Sequence, residues 1–198
     1  MPRLFRYALL AAALVACAPA SSPSPERMAA PSAASAATQD STVVVLVRHA
    51  EKAAVEGNDP PLSEAGEARA RALEQALAGM RFDAVIATER QRTQATARPL
   101  AQAQGLTPEI VGLAGPHVEN VAAAVRRHAG HTVLVVGHSN TVPRIVHALG
   151  GPQLRDFCEP EFAHLFVLVL RDGAAPRLDR RTFGAADPPG AAECPAHP

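Results

Sequence analysis

Short apolar runs alternate with amphipathic stretches from about residue 41 onward. The VVVLV run that opens at Val43 has no polar break, which predicts a strand buried on both faces. After Ser63, a predicted helix N-cap, Leu73, Leu77 and Met80 recur at helical spacing. The pattern therefore predicts strands and helices that follow one another along the chain.

The predicted elements define a fold class. Strands are predicted from residue 43 and then at 83–87, 108–113, 131–137, 162–170 and 176–183. Helices are predicted after Ser63 and at 88–97, 118–128 and 142–149. This alternation predicts an α/β domain over 41–186, a three-layer αβα sandwich with a mostly parallel central sheet and the last strand as an antiparallel edge. The Pro, Gly and Ala residues of 187–198 predict a loose C-terminal tail.

The first 40 residues have a different pattern. Arg3 and Arg6 precede an apolar run, Tyr7 to Ala16, that is too short to span a bilayer and has the order typical of a secretory signal. The run ends in LVAC, which resembles a bacterial lipobox in which the cysteine, here Cys17, is lipidated. The alternative is a plain signal peptide cleaved nearby. Residues 18–40, rich in Ala, Ser and Pro, predict a disordered tether.

Both alternatives, a lipoprotein signal and a plain signal peptide, predict that the protein is exported. Ala18 stands where the sorting pattern for inner-membrane retention has Asp, so the expected location is the outer membrane, facing the periplasm. Export would place Cys158 and Cys194 in an oxidising compartment, where they form a disulfide or remain two free thiols.

Composition narrows the functional classes. The 198 residues carry 19 basic and 19 acidic side chains, and loss of Arg3 and Arg6 with the leader leaves 17 basic against 19 acidic. A mildly acidic chain with few aromatic residues gives no reason to expect a nucleic-acid partner. The eight histidines lack the clustered spacing of metal ligands, so a periplasmic metal-binding protein is a poor alternative.

Histidines and arginines follow three of the predicted strands. His49 follows the first strand, His138 follows 131–137, and Arg90 and Arg92 follow 83–87. Because the carboxyl ends of parallel strands lie at one edge of the sheet, we expect these side chains to converge. Guanidinium groups bind phosphate oxygens bidentately, and a neutral imidazole can attack phosphorus. The pattern predicts a site for a phosphoryl group.

Motifs around these residues resemble the histidine phosphatase superfamily, also called phosphoglycerate-mutase-like. LVRHAEK is similar to its R-H-G or R-H-A signature followed by Glu, RTQATA at 92–97 to its R-[AT]-x-x-T-A motif, and VVGHSNT at 135–141 to its second histidine motif. DPPLSEAG at 59–66 resembles its helix start. The resemblance covers about residues 42–170, with the motifs in the family's order.

The resemblance implies a hydrolase that removes phosphoryl groups from phosphomonoesters or related compounds. His49 would become phosphorylated, while Arg48, Arg92 and His138 would bind the phosphoryl group. No metal ion or other cofactor is implied, because positive side chains take the place of Mg²⁺. The alternative is a non-catalytic exported lipoprotein that captures phosphate or a phosphorylated ligand in the same pocket.

Some positions depart from the family's pattern. Many members place Glu or Asp after the third strand as proton donor, and here GLAGPHVE offers Glu119, which we assign as catalytic, or His117. Glu119 could instead be an acid that interacts with the helix dipole. Ser139 and Asn140 follow the second histidine in place of the commoner small residue and are predicted to contact substrate.

Lys52 follows the first histidine motif. It is predicted either to bind a further anionic group of the substrate or to pair with Glu51.

Overall fold

A six-stranded sheet with helices on both faces forms the centre of the computed structural model, which describes residues 41–193. The predicted leader, Cys17, the tether of 18–40 and Cys194 lie outside the described residues. Among the described residues, no helix has both the length and the hydropathy needed to cross a bilayer.

The elements follow the predicted order. The strands are β1 (Ser41–Arg48), β2 (Ala84–Thr88), β3 (Glu109–Val111), β4 (Thr132–Gly137), β5 (His164–Arg171) and β6 (Arg177–Thr182). The helices are α1 (Glu64–Leu77), α2 (Gln91–Ala103), α3 (His117–Arg127) and α4 (Thr141–Ala148).

The sheet has the strand order β3-β2-β4-β1-β5-β6. The pairings among β1, β2, β3 and β4 are parallel, whereas β5 is antiparallel to both β1 and β6. The prediction of an α/β fold with a mostly parallel sheet is confirmed. The antiparallel part is larger than expected, because β5 is antiparallel to its neighbours on both sides, β1 and β6.

Alternate residues of β1 pack into two separate cores. Val44 and Leu46 pack with α3 and α4, while Val45 and Val47 pack with α1 and α2, and all four are 0% exposed. This burial on both faces explains why the run has no polar break. It also confirms the three-layer arrangement.

The ends of β1 and β4 lie side by side. Arg48, the last residue of β1, is in register with Gly137, the last residue of β4. The backbone N–H of His49 also donates to the Gly137 carbonyl at 2.9 Å. The loops that carry His49 and His138 therefore begin next to each other.

Helix α1 begins against the loop that follows β1. Ser63 caps the helix by accepting a hydrogen bond from the Gly66 N–H at 3.1 Å. A Cβ atom on Gly66 would lie 2.2 Å from the carbonyl oxygen of Glu51, so only glycine fits there. The Glu51 carboxylate in turn accepts from Nε of Arg69 at 2.9 Å. These contacts fix the loop after β1 to α1.

The residues after β6 return to the domain. Asp187 Oδ1 accepts hydrogen bonds from the backbone N–H groups of Phe162 and Ala163 at 2.8 and 2.9 Å, and Ala191 is buried. The described start of the segment predicted as a loose tail is therefore anchored by Asp187. Residues 194–198 lie outside the description.

Candidate active site

A cavity of about 1190 Å³ opens at the carboxyl ends of β1 and β4. Its walls come from six places in the chain: the end of β1 with the loop after it, the start of α2, the start of α3 with the turn before it, the loop after β4, helix α4, and the segment between α4 and β5. The predicted site residues among its lining are Arg48, His49, Lys52, Arg92, Glu119, His138, Ser139 and Asn140. The convergence expected from the sheet topology is thus present in the structure.

The two histidines lie in contact at the bottom of this cavity. The ring centroids of His49 and His138 are 5.3 Å apart with an interplanar angle of 66°. His49 Nδ1 lies 2.8 Å from the carbonyl oxygen of Ala50, and because a carbonyl only accepts, Nδ1 carries the ring proton. Nε2 of neutral His49 therefore keeps its lone pair, which is the form that can attack phosphorus.

Burial keeps both rings neutral. It lowers the pKa of His49 to about 3, an effect that outweighs the hydrogen bond to Ala50. Burial likewise lowers the pKa of His138 to about 4, and the positive charge of Arg92 acts in the same direction. Both imidazoles are therefore uncharged at neutral pH.

A chain of hydroxyl groups orients His138. Its Nε2 lies 3.2 Å from Thr88 Oγ1, which lies 3.0 Å from Thr93 Oγ1, and the Thr93 hydroxyl donates to the Arg90 carbonyl at 2.8 Å. If each hydroxyl donates once along this chain, Thr88 donates to Thr93 and accepts from His138. That arrangement places the ring proton of His138 on Nε2.

Arg48 is held by the backbone of the segment before β5. Its Nη1 donates to the carbonyls of Cys158, Glu159 and Glu161 at 2.8, 2.9 and 2.9 Å, and its Nη2 lies 3.0 Å from Glu159 Oε2. The guanidinium carbon lies 4.0 Å from the centroid of the Phe162 ring. These contacts bury Arg48 to 2% exposure and fix its position.

Arg92 has fewer partners. Its Nη1 lies 3.3 Å from Asp59 Oδ1, an ion pair that joins α2 to the loop before α1. Burial lowers the pKa of Arg92, although its guanidinium stays charged at any ordinary pH.

Three buried side-chain nitrogens lack a hydrogen-bond partner within the described part of the chain, and all three belong to residues that line the cavity. They are Nε of Arg48, Nε of Arg92 and Nε2 of His117. A buried N–H left unpaired costs about 1–3 kcal/mol, and a water molecule, an ion or a ligand can complete such a group. Two of the three are guanidinium donors, which indicates an anionic ligand.

The remaining predicted residues lie on the cavity wall. Glu119 is exposed in the first turn of α3, and Ser139 and Asn140 lie between β4 and α4. Within residues 41–193, no group of three or more His, Cys, Asp or Glu side chains is placed to hold a metal ion.

Lys52 pairs with Glu159, not with Glu51. Its Nζ lies 3.0 Å from Glu159 Oε1, whereas the Glu51 carboxylate is bound by Arg69. The predicted alternative of a Lys52–Glu51 pair is therefore wrong. Because neighbouring residues of this extended loop point in different directions, Glu51 reaches α1 while Lys52 reaches the cavity.

Glu159 is a cavity residue that sequence reasoning missed. Its carboxylate bridges Arg48 and Lys52 although its side chain is 71% exposed. The segment between α4 and β5 has no regular secondary structure and no periodic pattern, so no signal in the sequence pointed to it.

The same segment contains Cys158, which is buried and disulfide-bonded. A free thiol at this position, one of the two alternatives left open above, is wrong. Its candidate partner, Cys194, lies outside the described residues.

Comparisons with known proteins support the family that the motifs resemble and the fold. The sequence model of the histidine phosphatase superfamily (branch 1) matches residues 44–112. A search of curated proteins gives no match. Among solved structures, a candidate phosphohistidine phosphatase SixA from Nakamurella multipartitia is 26% identical with a TM-score of 0.53, and the match covers 73% of this chain and 98% of that one.

Two further structures share the fold. The protein histidine phosphatase SixA complexed with tungstate is 19% identical with a TM-score of 0.58, over 71% of this chain and 96% of that one. The mycobacterial glucosyl-3-phosphoglycerate phosphatase is 16% identical with a TM-score of 0.51, over 73% and 99%. Fold and sequence match together support a phosphatase. Residues 44–112 carry the sequence pattern of the histidine phosphatase superfamily (branch 1), and the described chain has the fold of solved phosphatases that resemble it.

Proposed function

We propose that this protein hydrolyses phosphomonoesters or related phosphoryl compounds through a phosphohistidine intermediate on His49. The observation that carries the proposal is the juxtaposition of a neutral imidazole with a free Nε2 and two buried, unpartnered arginine N–H groups around one cavity. The imidazole can attack phosphorus, and the two arginine N–H groups can bind the phosphoryl oxygens.

In the first step the substrate phosphoryl group binds against the arginines. Nε of Arg48 and Nε of Arg92 donate to its oxygens, and His138 donates its Nε2–H to a non-bridging oxygen as charge develops there. The contact of His138 to Thr88 is long, at 3.2 Å, so the ring can share this proton. His49 Nε2 then attacks phosphorus as the bond to the leaving group breaks.

In the second step water attacks the phosphohistidine. The P–N bond breaks, inorganic phosphate leaves and His49 returns to its neutral form. The guanidinium and imidazole donors supply the charge stabilisation that Mg²⁺ supplies in many phosphoryl-transfer enzymes. The leaving group needs a proton in the first step, and Glu119 and His117 at the start of α3 both line the cavity and can carry one.

The names of the structural relatives support phosphoryl compounds of more than one type. SixA is named as a phosphohistidine phosphatase, and phosphohistidine is a compound in which phosphorus is bound to nitrogen. Another relative, from Escherichia coli, is described as a candidate α-ribazole-5′-phosphate phosphatase, which acts on phosphorus bound to oxygen. Lys52, Ser139 and Asn140 line the cavity wall, and we propose that they contact the remainder of such a substrate.

The experiment is hydrolysis of para-nitrophenyl phosphate by the wild type with and without EDTA, and by His49→Ala. We expect turnover that persists with EDTA and falls by at least about four orders of magnitude in His49→Ala, because loss of a nucleophile leaves only residual binding catalysis. The wild type should also yield an acid-labile phosphoenzyme on rapid quenching.

The matched control is His131→Ala. His131 precedes β4 at the end of the sheet away from the cavity, and its side chain is exposed, so its loss should leave turnover unchanged. Phosphate binding without turnover in the wild type would instead support the non-catalytic lipoprotein, and full activity in His49→Ala would exclude His49 as nucleophile.

We also propose that the protein is exported and anchored in the outer membrane through lipidated Cys17, facing the periplasm. The support is the LVAC sequence after the apolar run, together with the disulfide at Cys158, a bond typical of exported proteins. Cys17→Ser should move the protein from the membrane fraction to the soluble fraction, and unchanged fractionation would contradict the lipid anchor.

A further inference from the structure

We propose that His117, not Glu119, is the acid that protonates the leaving group. This inference rests on the proposed function and names one further catalytic residue for it. His117 is the first residue of α3 and lines the same cavity as His49 and His138.

The first observation is burial without a partner. His117 is 7% exposed, and its Nε2 is one of the three buried nitrogens without a hydrogen-bond partner in the described chain. The other two, on Arg48 and Arg92, are the donors proposed to bind the phosphoryl group. An unpaired ring nitrogen in this setting is unfavourable unless the ligand completes it.

The second observation is the fixed orientation of the ring. His117 Nδ1 lies 2.8 Å from the carbonyl oxygen of Gly112, so Nδ1 carries a proton and donates it whether the ring is neutral or charged. Proton exchange is therefore confined to Nε2, on the side of the ring that has no protein partner.

The charged groups near His117 suit an anionic substrate. The guanidinium groups of Arg48, Arg90 and Arg92 line the same cavity as the His117 ring, whereas the carboxylates on the cavity wall, those of Glu119 and Glu159, are exposed to solvent. A phosphorylated substrate held by these arginines would therefore lie in the same cavity as His117 Nε2.

Glu119 lacks these features. Its side chain is exposed, and no hydrogen bond or ion pair within residues 41–193 orients its carboxylate. A general acid needs a defined position relative to the atom that it protonates.

The proposed step is balanced. The lone pair of His49 Nε2 forms the N–P bond, the P–O bond breaks, and the leaving oxygen takes the proton from His117 Nε2 to give an alcohol. In the second step neutral His117 takes a proton from the attacking water, whose oxygen binds phosphorus. The electrons of the N–P bond return to His49, and phosphate is released.

The test uses the dependence on the leaving group. para-Nitrophenolate departs without a proton, whereas the alkoxide of glycerol 2-phosphate does not, so only the second substrate needs the acid. His117→Asn keeps an amide N–H near the position of Nδ1 to bind Gly112 but removes Nε2. We expect kcat/KM of this variant to fall by about 10²–10⁴ on glycerol 2-phosphate, the usual contribution of a general acid, and by less than about tenfold on para-nitrophenyl phosphate.

Glu119→Gln is the comparison variant. We expect it to change kcat/KM by a similar small factor on both substrates. A selective loss on glycerol 2-phosphate in Glu119→Gln, or equal losses on both substrates in His117→Asn, would overturn the assignment of His117. If thermal denaturation shows that His117→Asn is unfolded, His117→Gln provides the same comparison, because its amide cannot transfer a proton.

Failure of this inference is distinct from failure of the proposed function. A wild type that hydrolyses neither substrate contradicts the phosphatase itself. A wild type that hydrolyses both, with no substrate-selective effect of His117 variants, contradicts only the acid.

Discussion

The floor and the rim of the cavity are built in different ways. The floor consists of Arg48, His49, Arg92 and His138, which are buried or nearly so and are held by strand ends, backbone carbonyls and hydroxyl groups. The rim consists of Glu119, Arg144 and Glu159, which are exposed, and Asp156, which is half-buried. Arg144 and Asp156 pair with each other, and Glu159 pairs with Arg48.

The difference in burial between floor and rim suggests different roles: phosphoryl transfer on the floor and substrate recognition at the rim. Electrostatic interactions strengthen where water is excluded, so the floor can hold and transfer a phosphoryl group. Exposed ion pairs contribute only about 0–1 kcal/mol, so the rim can exchange its partners as a substrate binds. We therefore expect substitutions on the floor to remove activity and substitutions on the rim to adjust substrate preference.

The largest difference should appear between Arg92→Ala and Arg144→Ala. Loss of a charged donor to phosphate removes about 1.5–3 kcal/mol, so kcat/KM and the affinity for inorganic phosphate should both fall by roughly 10- to 150-fold in Arg92→Ala. Arg144, which is 62% exposed and lies 3.4 Å from Asp156, should change either quantity by less than about fivefold. Steady-state kinetics and calorimetry with phosphate measure both, and equal effects of the two variants would contradict the distinction.

The second prediction concerns how the two buried histidines of the floor make the free energy of unfolding depend on pH. The folded protein holds His49 and His138 at pKa values of about 3 and 4, below their ordinary value of 6.5, so the unfolded chain binds more protons as pH falls below 6.5. The free energy of unfolding should therefore be highest above pH 6.5 and fall between pH 6.5 and 4, by up to about 1.4 kcal/mol per pH unit for each histidine.

Urea denaturation at pH 7, 6 and 5 measures this slope. His49→Asn should reduce it, because the substituted side chain does not titrate. The same slope in His49→Asn and the wild type would show that the buried histidine is not responsible.

The smallest difference should come from Glu159→Gln. Its carboxylate pairs with Arg48 and Lys52 at the mouth of the floor, where it competes with an incoming anion. Removing this exposed charge should tighten inhibition by inorganic phosphate by about two- to fivefold. Glu159→Asp is the matched control that keeps the charge, and weaker inhibition in Glu159→Gln would indicate that Glu159 supports the floor.

The sequence predicted the floor better than the rim. His49 and His138 follow strands whose buried, unbroken apolar runs are easy to recognise, and parallel strands bring their carboxyl ends together. The start of α1 was equally predictable, because Ser63 has the residue type of a cap.

Other features could not be predicted, because they depend on segments without periodicity. The carbonyls that bind Arg48 come from residues 158–161, more than 100 positions away along the chain. Neither their proximity nor the Lys52–Glu159 pair has a local signal. The burial of His117 depends on how the turn after β3 folds back, and a single chain gives no pattern from which to read that turn.

One turn of α2 joins the proposed phosphoryl site to the loop that carries the proposed nucleophile, His49. Thr96 Oγ1 accepts from the Ala50 N–H at 2.9 Å and donates to the carbonyl of Arg92 at 2.8 Å. Each residue rotates a helix by about 100°, so a single insertion between Arg92 and Thr96 would turn one of them away from its target. The interval of four residues is therefore a geometric requirement, and screening unassigned sequences for that interval should find working sites more reliably than screening for either residue alone.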